Sequence, residues 1–272
     1  LPTADPPTPR RRRRLTRRAL LLGGLGAVGA GASGAAYAFK IEPHWACLNR
    51  LPLDLPRLHP DLHGLRLVQL SDLHVSHGHS DQLADLGQIL AGLHPRLGVF
   101  AVFGNHDYSV YSYQKRPASP GRMRRGRDMA AMLADFGVTA LRNERHVLEV
   151  GGGRLQLVGL DDYWAGLCNP EMAMADVEPD LPCLVLSHNP DTFVELKQYP
   201  GDFVLSGHTH GGQVRIPLFG APVLPIFNRR YDAGLFREGD KCLYVNRGLG
   251  YIRRVRFNCR PEITEFTLVP RA

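Results

Sequence analysis

Short apolar runs along the chain end in the same polar chemistry. Phe203-Val204-Leu205 reads as a buried strand and is followed by Ser206-Gly207-His208-Thr209-His210-Gly211-Gly212. Leu65-Arg66-Leu67-Val68-Gln69-Leu70 runs into Ser71-Asp72-Leu73-His74, and Val99-Phe100-Ala101-Val102-Phe103 runs into Gly104-Asn105-His106-Asp107. Cys183-Leu184-Val185-Leu186 runs into Ser187-His188-Asn189-Pro190. Each loop alone reads as a polar turn. Four strands that all end in His with Asp, Asn or a second His predict one shared metal site. Neutral imidazole is the commonest metal ligand among side chains, and open α/β sheets place their sites at the carboxyl ends of strands.

The remaining pattern fills in a mixed α/β core of two sheets packed between helices. Leu83, Leu86, Ile89, Leu90 and Leu93 recur at helical spacing, which makes residues 65–103 a βαβ unit. Residues 41–64 are proline-rich and read as extended. Residues 111–127, with Lys115, Arg116, Arg122, Arg124, Arg125 and Arg127 among prolines and glycines, read as a mobile basic loop beside the site. That loop is either simple solvated surface or an attractor of an anionic substrate or lipid headgroup. Residues 129–136 suit a short helix, and 138–160 suit strands broken by Gly151-Gly152-Gly153, with Asp161-Asp162 ending one of them. Further strands are expected at 214–216, 243–246, 255–258 and 263–268.

Composition changes this picture in two places. The net charge of +7 suggests nucleic acid, but residues 1–38 hold seven arginines against the single acid Asp5. The basicity therefore belongs to a tail, and no nucleic-acid partner is inferred. That tail continues through Arg17-Arg18 into an uncharged run from Ala19 to Phe39 that contains Ala36-Tyr37-Ala38. A basic start, an apolar middle and small residues at the end form a signal-peptide pattern, and the paired arginines resemble a twin-arginine export signal. The run is also long enough to span a bilayer, although its Gly and Ala content favours cleavage over anchoring. Residues 1–40 are thus expected to be an export signal or membrane anchor, and 41–272 the folded domain, outside the cytoplasm at the cell envelope. The five cysteines show no close metal-site spacing, and Cys183 reads as a small core residue.

Carboxylate, amide oxygen and imidazole together suit a divalent transition metal. The six candidates are Asp72, His74, Asn105, His188, His208 and His210, too many for one tetrahedral ion and suited to two adjacent ones. Paired ions can hold an oxygen nucleophile and clamp the attacking and leaving oxygens of phosphoryl transfer. His106 is placed to protonate the leaving group or stabilise its charge. Asp107 either orients that imidazole or serves as a turn residue.

These motifs resemble those of the calcineurin-like metallophosphoesterases, and they occur in that family's order. Gly211-Gly212-Gln213, Tyr244-Val245-Asn246-Arg247-Gly248-Leu249-Gly250 and Arg260-Pro261-Glu262-Ile263 resemble its bacterial envelope-associated phosphodiesterase branch. The resemblance covers roughly residues 41–268. It implies a four-layer αββα sandwich of two mixed sheets and a hydrolase with two divalent ions (Mn, Fe or Zn). Asp72, His74 and His210 would hold one ion and Asn105, His188 and His208 the other. It also implies a phosphate-ester substrate, a phosphodiester or pyrophosphate, with a lipid-linked one and a membrane surface fitting the expected location. An amidohydrolase-type site would carry its His-x-His after the first strand, whereas here it comes last.

One departure matters. The family's Gly-Asp-x-x-Asp motif, whose first Asp bridges the two metals, does not occur between Asp72 and Asn105. Asp81 and Asp85 lie at the start of the expected helix with no strand before them, so the bridging role is not carried onto Asp81. A strand and its loop are expected to be missing, with the join near Pro95-Arg96. Two cations would then sit together with less negative charge between them. Weaker occupancy of one metal position and reduced activity follow, as does the alternative of a catalytically impaired homologue that binds metal or an anionic ligand.

Overall fold

The computed structural model describes residues 16–74, 92, 94–111 and 114–271. Helix α1 (Arg17–Ala36) precedes strand β1 (Cys47–Leu55) and β2 (Arg66–Gln69). Strand β3 (Val99–Ala101), helix α2 (Pro120–Asp135) and β4 (Val138–Ala140) follow, then β5 (Glu144–Val150) and β6 (Gly153–Gly159). Helix α3 (Pro170–Met174), β7 (Cys183–Leu186), helix α4 (Thr192–Leu196) and β8 (Phe203–Ser206) lead to β9 (Gly234–Glu238), β10 (Lys241–Val245) and β11 (Glu262–Pro270). The Leu83–Leu93 periodicity and the acids Asp81 and Asp85 fall on residues outside those described.

Nine of the eleven strands named form two mixed sheets that pack face to face. One runs β5-β6-β7-β8-β10-β9, with β6, β7, β8 and β10 parallel. The other runs β1-β11-β2, with β1 and β11 parallel and β2 antiparallel to β11. Alternate residues of each strand point to opposite faces. Leu155, Leu157, Leu184, Phe203, Leu205 and Tyr244 thus meet Leu53, Leu55, Phe266 and Leu268 between the sheets. Val158, Val185, Val204 and Val245 turn outward and pack under Ala173 and Met174 of α3 and Phe193 and Leu196 of α4. Helix α2 covers the β3-β4 pair, with Met129, Ala130 and Leu133 beside Ala140. The expected α/β sandwich of helix, sheet, sheet and helix is the observed one.

Among the described residues, β3 and β4 stand apart from the smaller sheet. Strands β3 and β4 pair in parallel as a two-stranded unit, and among the described residues no strand joins β3 to β2. Val68, on β2, is 54% exposed.

Several local expectations need correcting. The stretch from Pro120 is helical, so the basic segment 111–127 is a loop only in its first part, and the short helix expected at 129–136 is the end of α2. Ser119 accepts from the Arg122 amide and Pro120 occupies the first helical turn, a pairing that starts helices. Residues 47–55, expected to be merely extended, form β1 because β11 offers a parallel edge along their whole length. Residues 214–216 and 255–258 form no strands. They contribute single bridges, Val214 to Phe257 and Ile216 to Gly220. Cys183 is a buried core residue, and all five cysteines are free thiols.

Helix α1 is rich in Gly and Ala, and the side chains described on it are almost all exposed. No helix among the described residues is long and apolar enough to cross a membrane. Immediately after α1 the chain grips the domain. The Ala38 carbonyl accepts from the Arg256 amide, and the buried Glu42 carboxylate accepts from the Asn258 and Cys259 amides.

Candidate metal centre

The loops that follow β2, β3, β7 and β8 meet at one end of the sandwich. Gln69 Nε2 donates to the Ser206 carbonyl at 3.0 Å, which ties the end of β2 to the end of β8 across the two sheets. The Gly207 amide donates to the His188 carbonyl at 3.0 Å, and the His208 amide donates to both Asp72 carboxylate oxygens at 3.1 and 3.0 Å. All six expected ligands lie in this cluster.

Their donor atoms fall into two sets. In the first, His74 Nε2 and His210 Nε2 are 2.8 Å apart, and His210 Nε2 is 3.5 Å from Asp72 Oδ1. In the second, His188 Nε2 lies 3.1 Å from His208 Nδ1 and 3.2 Å from Asn105 Oδ1. Neighbouring contacts fix which atom each side chain presents. His208 Nε2 faces the Pro225 carbonyl at 2.8 Å, which places its proton there and leaves the Nδ1 lone pair for the cluster. Asn105 Nδ2 donates to the Val110 carbonyl, aiming its Oδ1 inward. The Ser71 hydroxyl donates to Asp72 Oδ2 at 2.6 Å.

The backbone is unusual at these positions. Asp72, His74, His208 and His210 all have φ between 50° and 69°, in the left-handed region. Such conformations cost about 1–3 kcal/mol each in non-glycine residues and concentrate at functional sites. Two glycines admit the cluster. A Cβ on Gly207 would lie 1.9 Å from Ser71 Oγ and 2.4 Å from Asp72 Oδ2, and one on Gly104 would lie 2.6 Å from the His188 ring.

Burial sets the protonation. It pushes His210 down to about 3 and His106 to about 4, and lowers His208 and His74 as well. At neutral pH these imidazoles are uncharged, the form that binds metal. Burial alone would raise the Asp72 carboxyl, but the imidazoles of His210 and His188 and the Ser71 hydroxyl hold it well below the usual carboxylate range. The donors therefore suit divalent cations: closely spaced lone pairs, neutral imidazoles and an ionised carboxylate.

The His106 ring packs edge-on against His74 at 4.5 Å and against Tyr111 at 4.9 Å. Asp107 Oδ2 accepts from the Gly104 amide at 2.7 Å and so closes its turn. Tyr111 also lines an open cavity of about 540 Å³ together with Ser109, Val110, Arg116 and Arg122 of the basic segment.

Other contributors escaped the sequence reading. Arg256 is fully buried, and its guanidinium donates to the carbonyls of Arg247, Gly248 and Cys259. The loop it fastens then holds the first ligand loop, because the Leu249 and Gly250 amides donate to the Ser71 and Asp72 carbonyls. Nothing in the sequence separates Arg256 from its neighbours Arg253 and Arg254. Trp164, whose ring stands edge-on to His208 at 4.5 Å, carried no motif signal either.

Known proteins share this chain's pattern. The family profile described as "Calcineurin-like phosphoesterase" matches residues 93–212. The chain is 37% identical over 203 residues to phosphodiesterase YaeI of Escherichia coli, covering 75% of this chain and 70% of that protein. It is 31% identical over 297 aligned positions to the UDP-2,3-diacylglucosamine pyrophosphatase LpxG of Chlamydia trachomatis, covering 84% of this chain and 90% of that one. It is also 28% identical to the metallophosphoesterase YkuE of Bacillus subtilis, over 94% and 98% of the two chains. With four ligand-bearing loops meeting above a two-sheet sandwich, and relatives of this kind along most of its length, the chain belongs to the calcineurin-like phosphoesterases, hydrolases of phosphoric esters.

Proposed function

We propose that this chain is a metal-dependent phosphoesterase of the cell envelope that hydrolyses a phosphodiester or pyrophosphate carried on a lipid. The observation that carries the reading is the meeting of six donor side chains from four strand ends in two sets of three. Asp72, His74 and His210 would hold one divalent ion, and Asn105, His188 and His208 a second. Mn, Fe and Zn all suit these ligands. Such ions, when bound, supply Lewis acidity and an oxygen nucleophile. The chain's own groups do the rest. His106, uncharged at neutral pH, offers an N–H to the leaving oxygen, and an anionic phosphate beside it would raise its proton affinity. Asp107 holds the turn that presents it. Arg116 and Arg122 line the cavity where a second anionic group would rest.

Two features favour a lipid-linked substrate at a membrane surface. Leu218, Phe219, Val223 and Phe227 are exposed on the segment that reaches His208 through Pro225. One relative, LpxG, bears the name of a pyrophosphatase of a diacylated sugar nucleotide. The twin arginines Arg17 and Arg18, which open α1 ahead of the uncharged run from Ala19, support residues 1–40 as an export signal or anchor for the domain at 41–272.

The test is manganese-dependent turnover of bis(4-nitrophenyl) phosphate beside a His208→Ala control. Turnover that needs manganese and disappears in the variant supports the proposal. Manganese binding without turnover would favour the second reading, an impaired homologue that binds metal or an anion. The second donor set, which has no carboxylate of its own, favours that reading.

A further inference from the structure

We infer that Asp162 is the counter-charge for a cation held by Asn105, His188 and His208, replacing negative charge that the family draws from its bridging acid. This rests on the reading of the cluster as a metal centre.

The ladder between β6 and β7 places Asp162. Gly159 pairs with Leu186, and the Leu160 amide extends the ladder by donating to the Leu186 carbonyl at 2.9 Å. Asp161 and Asp162 therefore leave the sheet alongside Ser187 and His188, at the same carboxyl edge. Two residues further on, the same loop lays Trp164 against the His208 ring. Asp162 is thus bracketed between the neighbourhoods of both second-set imidazoles.

Its surroundings are those of a charge awaiting a partner. Asp162 is 1% exposed. Oδ1 accepts from the Ala165 amide at 2.6 Å, which fixes the side chain. Oδ2 is buried and has no hydrogen-bond partner among the described residues. Asp161, next to it, is the opposite case, because its carboxylate is engaged by Tyr108 and Arg142. A buried carboxylate oxygen left unsatisfied is costly and calls for an explanation. His188 and Asp107 both act electrostatically on the Asp162 carboxyl, so its field reaches the second donor set.

Asp162 acts from behind that set and is not a member of it. Among the described residues, the trio of acidic, His or Cys groups whose donor atoms all lie within 4.8 Å of one another is Asp72, His74 and His210, and Asp162 forms no such trio with His188 and His208. The second set offers two imidazoles and an amide, all neutral. A divalent ion on neutral ligands in a buried place needs negative charge nearby, and such outer groups typically change metal affinity by about 10–100-fold.

Equilibrium dialysis of the full chain against manganese, followed by elemental analysis, tests this with no reliance on turnover. Asp162→Asn keeps an acceptor for the Ala165 amide and removes the charge; Asp162→Ser is a second, smaller neutral variant. The expected result is an about tenfold or greater weakening of the weaker manganese site, with the tighter site unchanged. Asp72→Asn should show the reverse, losing the tighter site. Unchanged binding at both sites in either neutral Asp162 variant overturns the inference and leaves the metal centre standing. No manganese binding by the unaltered chain overturns the metal-centre reading itself.

Discussion

Asp72, His74 and His210 bring one carboxylate and two imidazoles together, whereas Asn105, His188 and His208 bring two imidazoles and an amide. The two sets are built alike, from loops at the carboxyl ends of strands, with atoms 2.8 to 3.5 Å apart. They differ in charge. At an effective dielectric constant near 20 and a separation near 4 Å, a carboxylate gains about 4 kcal/mol for each unit of ionic charge it faces. Geometry alone thus brings ligands together, and charge decides how tightly each set holds an ion.

Removing a ligand should have the largest effect. His208→Ala takes a nitrogen from the second set and with it several kcal/mol of transition-state stabilisation. The expected loss in kcat/KM is about a thousandfold, measured on the aryl phosphodiester. A variant that keeps full turnover would place the chemistry on the first set alone.

A pair of glycine variants separates the sets. Gly207→Ala would drive a methyl into Ser71 and Asp72, and Gly104→Ala into the His188 ring. Overpacking of this kind costs about 1–3 kcal/mol of stability. Gly207→Ala should weaken manganese binding at the tighter site and Gly104→Ala at the weaker one, each read by calorimetric titration. Equal effects on both sites would erase the distinction.

The third effect is on pH dependence and is confined to a narrow window. Burial raises the Asp162 carboxyl from 3.8 to about 6. Between those values the folded, metal-free chain binds more protons at this group than the unfolded chain does. Its contribution to stability is therefore present below about 4 and is lost as pH rises through about 6. The loss is of order 3 kcal/mol. Urea unfolding of metal-free protein should show Asp162→Asn gaining on the unaltered chain across that window. A difference that does not vary with pH would count against a buried, unpaired carboxylate.

Much of this centre was legible because its signal is local: an apolar strand followed at once by His, Asp or Asn. The expected loss of a strand beside β2 falls on the stretch between Asp72 and Asn105, part of which lies outside the described residues. The left-handed backbone at Asp72, His74, His208 and His210 was not, because none of these residue types demands that conformation. The length of α2 was misread since arginines and glycines masked it, although Ser119-Pro120 carried the start signal. Arg256 and Asp162 depend on which of several like residues the fold buries, and that is a property of the packed structure.

Calorimetric titration of the metal-free chain with manganese bears most directly on the inequality of the two donor sets. Two binding events are predicted, a tight one abolished by Asp72→Asn and a weaker one that survives it. Two ions bound with equal, high affinity would show that the second set does not lack charge, and would contradict the account.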